Sequence, residues 1–326
     1  MIDLHKSNGI KENDVMSDNF ELVRFSRTGE TKGTGWLQPL PDLRDYTDQT
    51  PKIVEILNRI NENKTGKMKV SAKRTKTAAL PAKVDLRKSF PPVRDQKDLG
   101  SCSAHAGIGI VEYYQNRNNG SYIDGSRLFT YKTTRNLLGL TGDTGAYLRT
   151  TMKALVMLGV CPEKYLPYDI KRFDVEPTAF HYALADNYEA TKYFCHDPAS
   201  LNRSGAEVLD KVKAHLDMGI PSMFGFYGFS SFESTDTPGG IPYPSTGESM
   251  LWGHAVIAAG YDDSIKIKNT SSKKTTKGAL LIRNSWGPDW GDKGYGWLPY
   301  EYVKSRYALD FWSLVSMEWT DLNPFE

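Results

Sequence analysis

The pattern of apolar and polar positions changes texture several times along the chain. Residues 1–35 are polar and rich in Gly, Asn, Asp and Lys, broken by one short apolar patch, Phe20 to Phe25. Such a stretch has little apolar surface to offset the entropy of ordering it, so partial disorder is expected. In Gly35-Trp36-Leu37-Gln38-Pro39-Leu40-Pro41-Asp42-Leu43 the prolines enforce an extended path, and Trp36 is a large group that needs cover. Ile53, Ile56, Leu57 and Ile60 follow Pro51 at helical spacing, which predicts a helix over 51–62. Residues 63–77 carry Lys64, Lys67, Lys69, Lys73, Arg74 and Lys76 with no acid among them, the pattern of a solvated, protease-sensitive linker.

From Leu80 the chain reads as a folded domain. Extended segments at 80–87 and 91–96 lead to Gly100-Ser101-Cys102, where Ile108, Ile110, Val111 and Tyr114 set a helical pattern starting at the cysteine. Further helices are predicted over 146–158 and 205–218, the second ended by Gly219. Strand-like runs then follow at 221–229, 254–261 and 278–284. Helices first and strands later predict an α+β arrangement of two packed lobes. The expected division is an N-terminal extension over 1–79 with a basic linker at 63–79, a helical lobe over about 95–200 and a β lobe over about 201–326.

Composition narrows the class. With 39% apolar and 12% aromatic residues, the 326-residue chain has enough material for a substantial core. A net charge of +2, with basic excess only in the linker, gives no reason to expect a nucleic-acid partner. No apolar run reaches the roughly 18 residues of a membrane span. The start, Met1 to Lys6, lacks the apolar stretch of a secretory signal. The expectation is a chain with no membrane partner, cytoplasmic or exported by an unrecognised route. Three cysteines do not make a disulfide scaffold; Cys161 and Cys195 read as ordinary thiols, with pairing between them the alternative. No short His/Cys/carboxylate spacing suggests a metal site, and no cofactor is implied.

Cys102 is the candidate nucleophile. A thiol must lose its proton to attack, and a helix N-terminus or a neighbouring imidazolium favours that loss. Cys102 has the first by position. The second has to come through the fold, and His254, opening the apolar run Ala255 to Gly260, is placed to hold a ring on a rigid strand. Asn284 ends another apolar run, and its amide oxygen can accept from the imidazole and fix its orientation. His105, three residues after Cys102, is the nearer rival and reads as a packing or hydrogen-bonding residue. His5, His181, His196 and His215 read as ordinary surface or core histidines.

The segments Gln96-Lys97-Asp98-Leu99-Gly100-Ser101-Cys102-Ser103-Ala104, Gly253-His254-Ala255-Val256 and Arg283-Asn284-Ser285-Trp286-Gly287 resemble, in that order, the papain/cathepsin family of cysteine peptidases. Gly142 to Tyr147, Tyr165 to Tyr168 and Trp290 to Gly296 are similar too. The resemblance covers roughly residues 80–326 and implies a papain-like two-lobed fold with the cleft between the lobes. It implies a cysteine endopeptidase acting on proteins or peptides through a Cys102 acyl-enzyme. Gln96 and the Cys102 backbone N–H would form the oxyanion hole, Trp286 would shield the Asn–His bond, and Gly145 and Ala146 would pair with substrate backbone. The working state would be a thiolate–imidazolium pair.

Three departures stand out. Leu99 replaces a half-cystine, Ser103 an aromatic residue, and Ala146 the second glycine of the usual pair. The pattern resembles prokaryotic or viral-type members with few cysteines. Residues 1–79 are expected to act as an intramolecular inhibitor of a monomeric zymogen, lying along or beside the cleft. The rival for them is a structural extension packed elsewhere. For the site the alternatives are an acyl transferase or peptide ligase with the same acyl-enzyme, and a catalytically silent binding protein.

Overall fold

A computed structural model describes residues 22–26, 28–65 and 80–317. In chain order the elements are β1 (Val23–Arg24), β2 (Thr31–Lys32), α1 (Pro51–Thr65), β3 (Lys83–Asp85), α2 (Cys102–Asn119), α3 (Arg127–Leu138), α4 (Leu148–Met157) and α5 (Ala179–Ala185). Then come β4 (Ala190–Cys195), α6 (Gly205–Asp217), β5 (Ser222–Phe229), β6 (Met250–Lys268), β7 (Thr275–Arg283), β8 (Tyr295–Pro299), α7 (Tyr300–Lys304) and β9 (Ala308–Met317). Among the described residues no helix is long and apolar enough to cross a membrane.

The predicted helices form where their sequence signals stand. Pro51 opens α1, Gly120 ends α2 in the left-handed region at φ 70°, and Ser204 with Glu207 makes a capping box on α6. Most of α2 is buried, including its polar Glu112 and Gln115, because it forms the spine of the helical lobe between α3, α4 and the sheet. Gly109 allows that approach: a Cβ there would lie 2.7 Å from the Ile257 side chain on β6.

The sheet runs β4-β9-β5-β6-β7-β8, every pair antiparallel, with β3 added on β6. Strand β6 lies between β5 and β7, and the register sets His254 opposite Phe226 and Ile257 opposite Arg283. The nucleophile's helix and the histidine's strand therefore meet across the packed interface of α2 and β6.

Several elements were not predicted. Helix α3 buries Arg127, Lys132 and Arg135, which hides its apolar period; their carboxylate partners are Glu112, Asp124 and Asp174. Strands β4 and β9 pair with each other, so the sheet takes in residues 190–195. Helices α5 and α7 and strand β8 are also additions.

The N-terminal part is built into the molecule. The β1–β2 hairpin buries Val23, and Phe25 packs edge-on against Trp286 at 5.4 Å. The expectation of disorder therefore fails for residues 22–26 and 28–35, because the rest of the chain supplies the apolar surface they lack. Residues 1–21 and most of the basic linker, 66–79, lie outside the described residues. Helix α1 buries Ile53 and Leu57 against Phe194, Ile220 and Val315.

Candidate active site

Cys102 is the first residue of α2 and is fully buried. Ser101 gives the helix no side-chain cap, so the positive end of the helix stays directed at the first turn. Backbone N–H groups of Ala255 and Ser103 bond the sulfur and lower the thiol pKa. Burial outweighs them and pushes it up to about 12. Because Ala255 directly follows His254, the same contact brings α2 and β6 together at the site.

His254 is fully buried, with Nε2 2.7 Å from Asn284 Oδ1. With Nε2–H donating to that amide oxygen, Nδ1 carries the free lone pair, and it has no hydrogen-bond partner among the described residues. Trp286 stacks on the ring at 4.4 Å and 20°. Burial pulls the imidazole down to about 4, against the upward pull of Asn284. Burial thus disfavours the charged form of both the thiol and the imidazole in this arrangement.

Gln96 is fully buried and doubly held. Its Oε1 accepts from Ser285 Oγ at 2.5 Å, which turns Nε2 toward the nucleophile's loop. Nε2 donates to Leu99 O at 2.8 Å and to Gly33 O at 3.0 Å. Trp286 Nε1 donates to the same Gly33 oxygen at 3.2 Å. A peptide carbonyl of the N-terminal segment thus occupies the donor that the sequence assigned to a developing oxyanion.

The segment continues through the site as an extended strap. Gly35 and Trp36 N–H both reach Gly253 O, at 3.2 and 3.3 Å. Ala146 donates to Gly35 O at 2.9 Å and accepts from Leu37 N–H at 3.2 Å. Trp36 is buried against Gly225, Gly253 and Tyr227, and its Nε1 donates to Asp310 Oδ2 at 3.0 Å. A side chain at Gly225 would collide with the indole, and a Cβ at Gly253 would sit 2.9 Å from it. Burial raises the Asp310 carboxyl to about 7 against the donors Trp36 and Trp312.

The fold brings Cys102, His254, Asn284, Gln96 and Trp286 into one site. Ala146 pairs with the extended backbone of the N-terminal segment. Gly145 does not: its N–H goes to Tyr131 Oη at 3.0 Å, and its role in the pairing is to let Gly35 approach closely. His105 is buried, with Nδ1 3.1 Å from Ser101 O, and stays out of the reaction centre's hydrogen bonds. His196 and His215 pack edge to face in the core, and His181 caps α5. Cys161 and Cys195 are free and buried in different clusters. Ser103 Oγ is buried without a hydrogen bond among the described residues, the local consequence of a small polar group where relatives carry an aromatic. Sequence reasoning gave no role to Ser285, Asp143, Asp310 or Tyr168, whose hydroxyl donates to Gln96 O at 2.9 Å and lies 2.6 Å from Ser101 Oγ. A signal existed for all but Asp310, since Ser285, Asp143 and Tyr168 stand in segments that resemble the family.

The family described as papain family cysteine protease matches residues 80–305. An uncharacterized peptidase C1-like protein of Acanthamoeba polyphaga mimivirus is 33% identical over 71% of this chain and 72% of its own length. Xylellain, a cysteine protease from Xylella fastidiosa, is 32% identical, with a TM-score of 0.65 over 87% of this chain and 96% of its own. A ragweed pollen cysteine protease solved in its proform shares the fold at 20% identity, with a TM-score of 0.52 over 74% of this chain and 66% of its own.

Proposed function

The chain belongs to the papain family of cysteine proteases and is a cysteine-type peptidase, and from that premise we propose that it is a latent endopeptidase whose own N-terminal segment closes the active site. In the open enzyme Cys102 attacks the peptide carbonyl, with His254 Nδ1 taking the thiol proton and later delivering it to the leaving amine. Asn284 holds the ring's orientation and Trp286 keeps water from that hydrogen bond. Gln96 Nε2 and the Cys102 N–H receive the negative charge of the tetrahedral intermediate. Water then releases the acyl group. Ala146 forms the edge along which protein or peptide substrates lie, and Gly145, with no side chain, lets their backbone approach it closely.

The observation that carries latency is the Gly33 carbonyl on Gln96 Nε2 and Trp286 Nε1. With Trp36 seated beside Ala146 and Gly253, the strap makes the contacts a substrate backbone would need. Tethering makes this competition intramolecular, so it operates at an effective concentration in the mM range. The basic linker over 66–79 is the proposed place of cleavage. Cutting there leaves α1 docked and the strap in place, so full activity follows only when the N-terminal segment dissociates.

Trp36→Ala in the full chain tests this. Truncating a fully buried aromatic residue costs about 3–5 kcal/mol, so kcat/KM on a small peptide should rise by roughly 100-fold or more. An unchanged kcat/KM in a well-folded variant would rule out strap-based latency.

A further inference from the structure

The loop before the nucleophile is gripped from its far side by a carboxylate with no part in the reaction described above. Asp143, between α3 and α4, accepts from the Gly100 N–H with both oxygens, at 3.1 and 3.2 Å. The same carboxylate accepts from Tyr131 Oη at 2.5 Å, and Tyr131 in turn accepts from Gly145 N–H at 3.0 Å. Tyr131 is fully buried on α3, with the Arg135 guanidinium 4.2 Å over its ring. Arg135 is itself held by Asp174 at 2.7 Å and by the Gly142 carbonyl, so Asp143 is bound by neutral donors.

The geometry of one peptide unit gives this grip its significance. The planar trans unit between Leu99 and Gly100 points its N–H and its C=O in opposite directions. Its N–H is on Asp143, and its C=O accepts from Gln96 Nε2 at 2.8 Å. Fixing one end of that unit fixes the other, and with it the direction of the Gln96 amide. Through Tyr131 the same carboxylate holds Gly145, the neighbour of the strand residue Ala146 that pairs with extended backbone.

We infer that Asp143 is a positioning residue, which acts through the Leu99–Gly100 peptide to aim Gln96 and through Tyr131 to hold the substrate strand in register with it. This inference rests on the reading of Cys102 and Gln96 given above. It assigns to a hydrogen-bonded carboxylate the task of tying the nucleophile's loop to the substrate strand, in a chain where Leu99 replaces a half-cystine. Asp143 also places a negative charge whose field raises the Cys102 thiol, so its removal has a signature separate from folding.

The test is a double-mutant cycle in the full chain carrying Trp36→Ala, with Asp143→Asn, Gln96→Ala and the combination. An amide keeps the size of the carboxylate but offers one oxygen in place of two, so kcat should fall about 10-fold, and by less than about 2-fold once Gln96 is already Ala. The pH midpoint for alkylation of Cys102 should shift downward in Asp143→Asn. Tyr131→Phe should raise KM more than it lowers kcat, because it frees Gly145. Equal kcat losses from Asp143→Asn in both Gln96 backgrounds, or an unmoved alkylation midpoint, would overturn the role of Asp143 while leaving the nucleophile assignment intact. A parent that neither hydrolyses peptide nor is alkylated at Cys102 would instead overturn the reading of the site on which the inference rests.

Discussion

At the scale of single residues, the site separates groups that carry protons or charge from groups that only aim them. In the proposed mechanism Gln96 donates to charge that appears in the transition state, so Gln96→Ala in the opened enzyme should lower kcat by roughly 10- to 1,000-fold with little change in KM. His254→Ala removes the base and should cost more than Asn284→Ala, which removes only the partner 2.7 Å from Nε2. Steady-state kinetics of the three variants checks this order, and an Asn284→Ala loss as large as that of His254→Ala would contradict it. Cys102, His254 and Asn284 were legible in the chain because each stands in a local pattern: a cysteine opening a helix, a histidine opening an apolar strand, an asparagine closing another; Gln96 came only from the family resemblance. Tyr131 and Asp310 stand in no such pattern, and Asp143, although it lies in the Gly142 to Tyr147 segment that resembles the family, drew no role from it. Their roles arise from contacts between segments remote in sequence, and no periodicity reports those.

At the scale of elements, helices with a clean apolar face and strands with continuous apolar runs were legible, as α1, α4, α6, β5 and β7 illustrate. Helix α3 was not, because buried Arg127 and Arg135 are satisfied by carboxylates from other segments. Strand β9 was missed because its partners, β4 and β5, lie far away in the chain. In the proposed latent form helix α1 is the strap's anchor, at a distance from the reaction centre. Its Ile53 is fully buried against Phe194 and Val315, and Ile53→Ala should cost about 2–5 kcal/mol of packing. Latent activity of the full chain should then rise, although no residue of the cleft has changed. Unaltered latency together with a lowered melting temperature would show that α1 stabilises the fold without anchoring the strap. The charge pairs Asp45–Arg149 and Asp48–Arg203, both at 2.5 Å, are the polar part of the same anchorage.

At the scale of the whole molecule, the proposed closure should couple to pH through His254 and Asp310, which act in opposite directions. His254 is held near 4 in the closed form, against an ordinary value of 6.5. As pH falls from 6.5 toward 4, the open form takes up a proton that the closed form refuses, so His254 favours opening. Asp310 is held near 7, against an ordinary 3.8. Over nearly the same window the closed form keeps a proton that the open form gives up, so Asp310 favours closure as the solution becomes more acid. The charged groups facing Asp310 are Asp197 and Arg149, with Trp36 and Trp312 donating to it. Because the two effects offset, latency should vary little between pH 7 and 5. Asp310→Asn removes one of them while keeping an acceptor for Trp36, so its latency should fall steadily on acidification. Activity of the full chain against pH, with and without this substitution, checks the sign; a variant that becomes more latent in acid would contradict it.

Closure of Cys102 beneath the strap is tested most directly by its alkylation. The full chain and its Trp36→Ala variant are treated with a thiol-directed epoxysuccinyl reagent at neutral pH, and the adduct is mapped by mass spectrometry over time. Slow labelling is expected in the full chain and rapid labelling in the variant, with the adduct on Cys102 in both. Equally rapid labelling of the two chains, or an adduct on Cys161 or Cys195 with Cys102 unmodified, would contradict it.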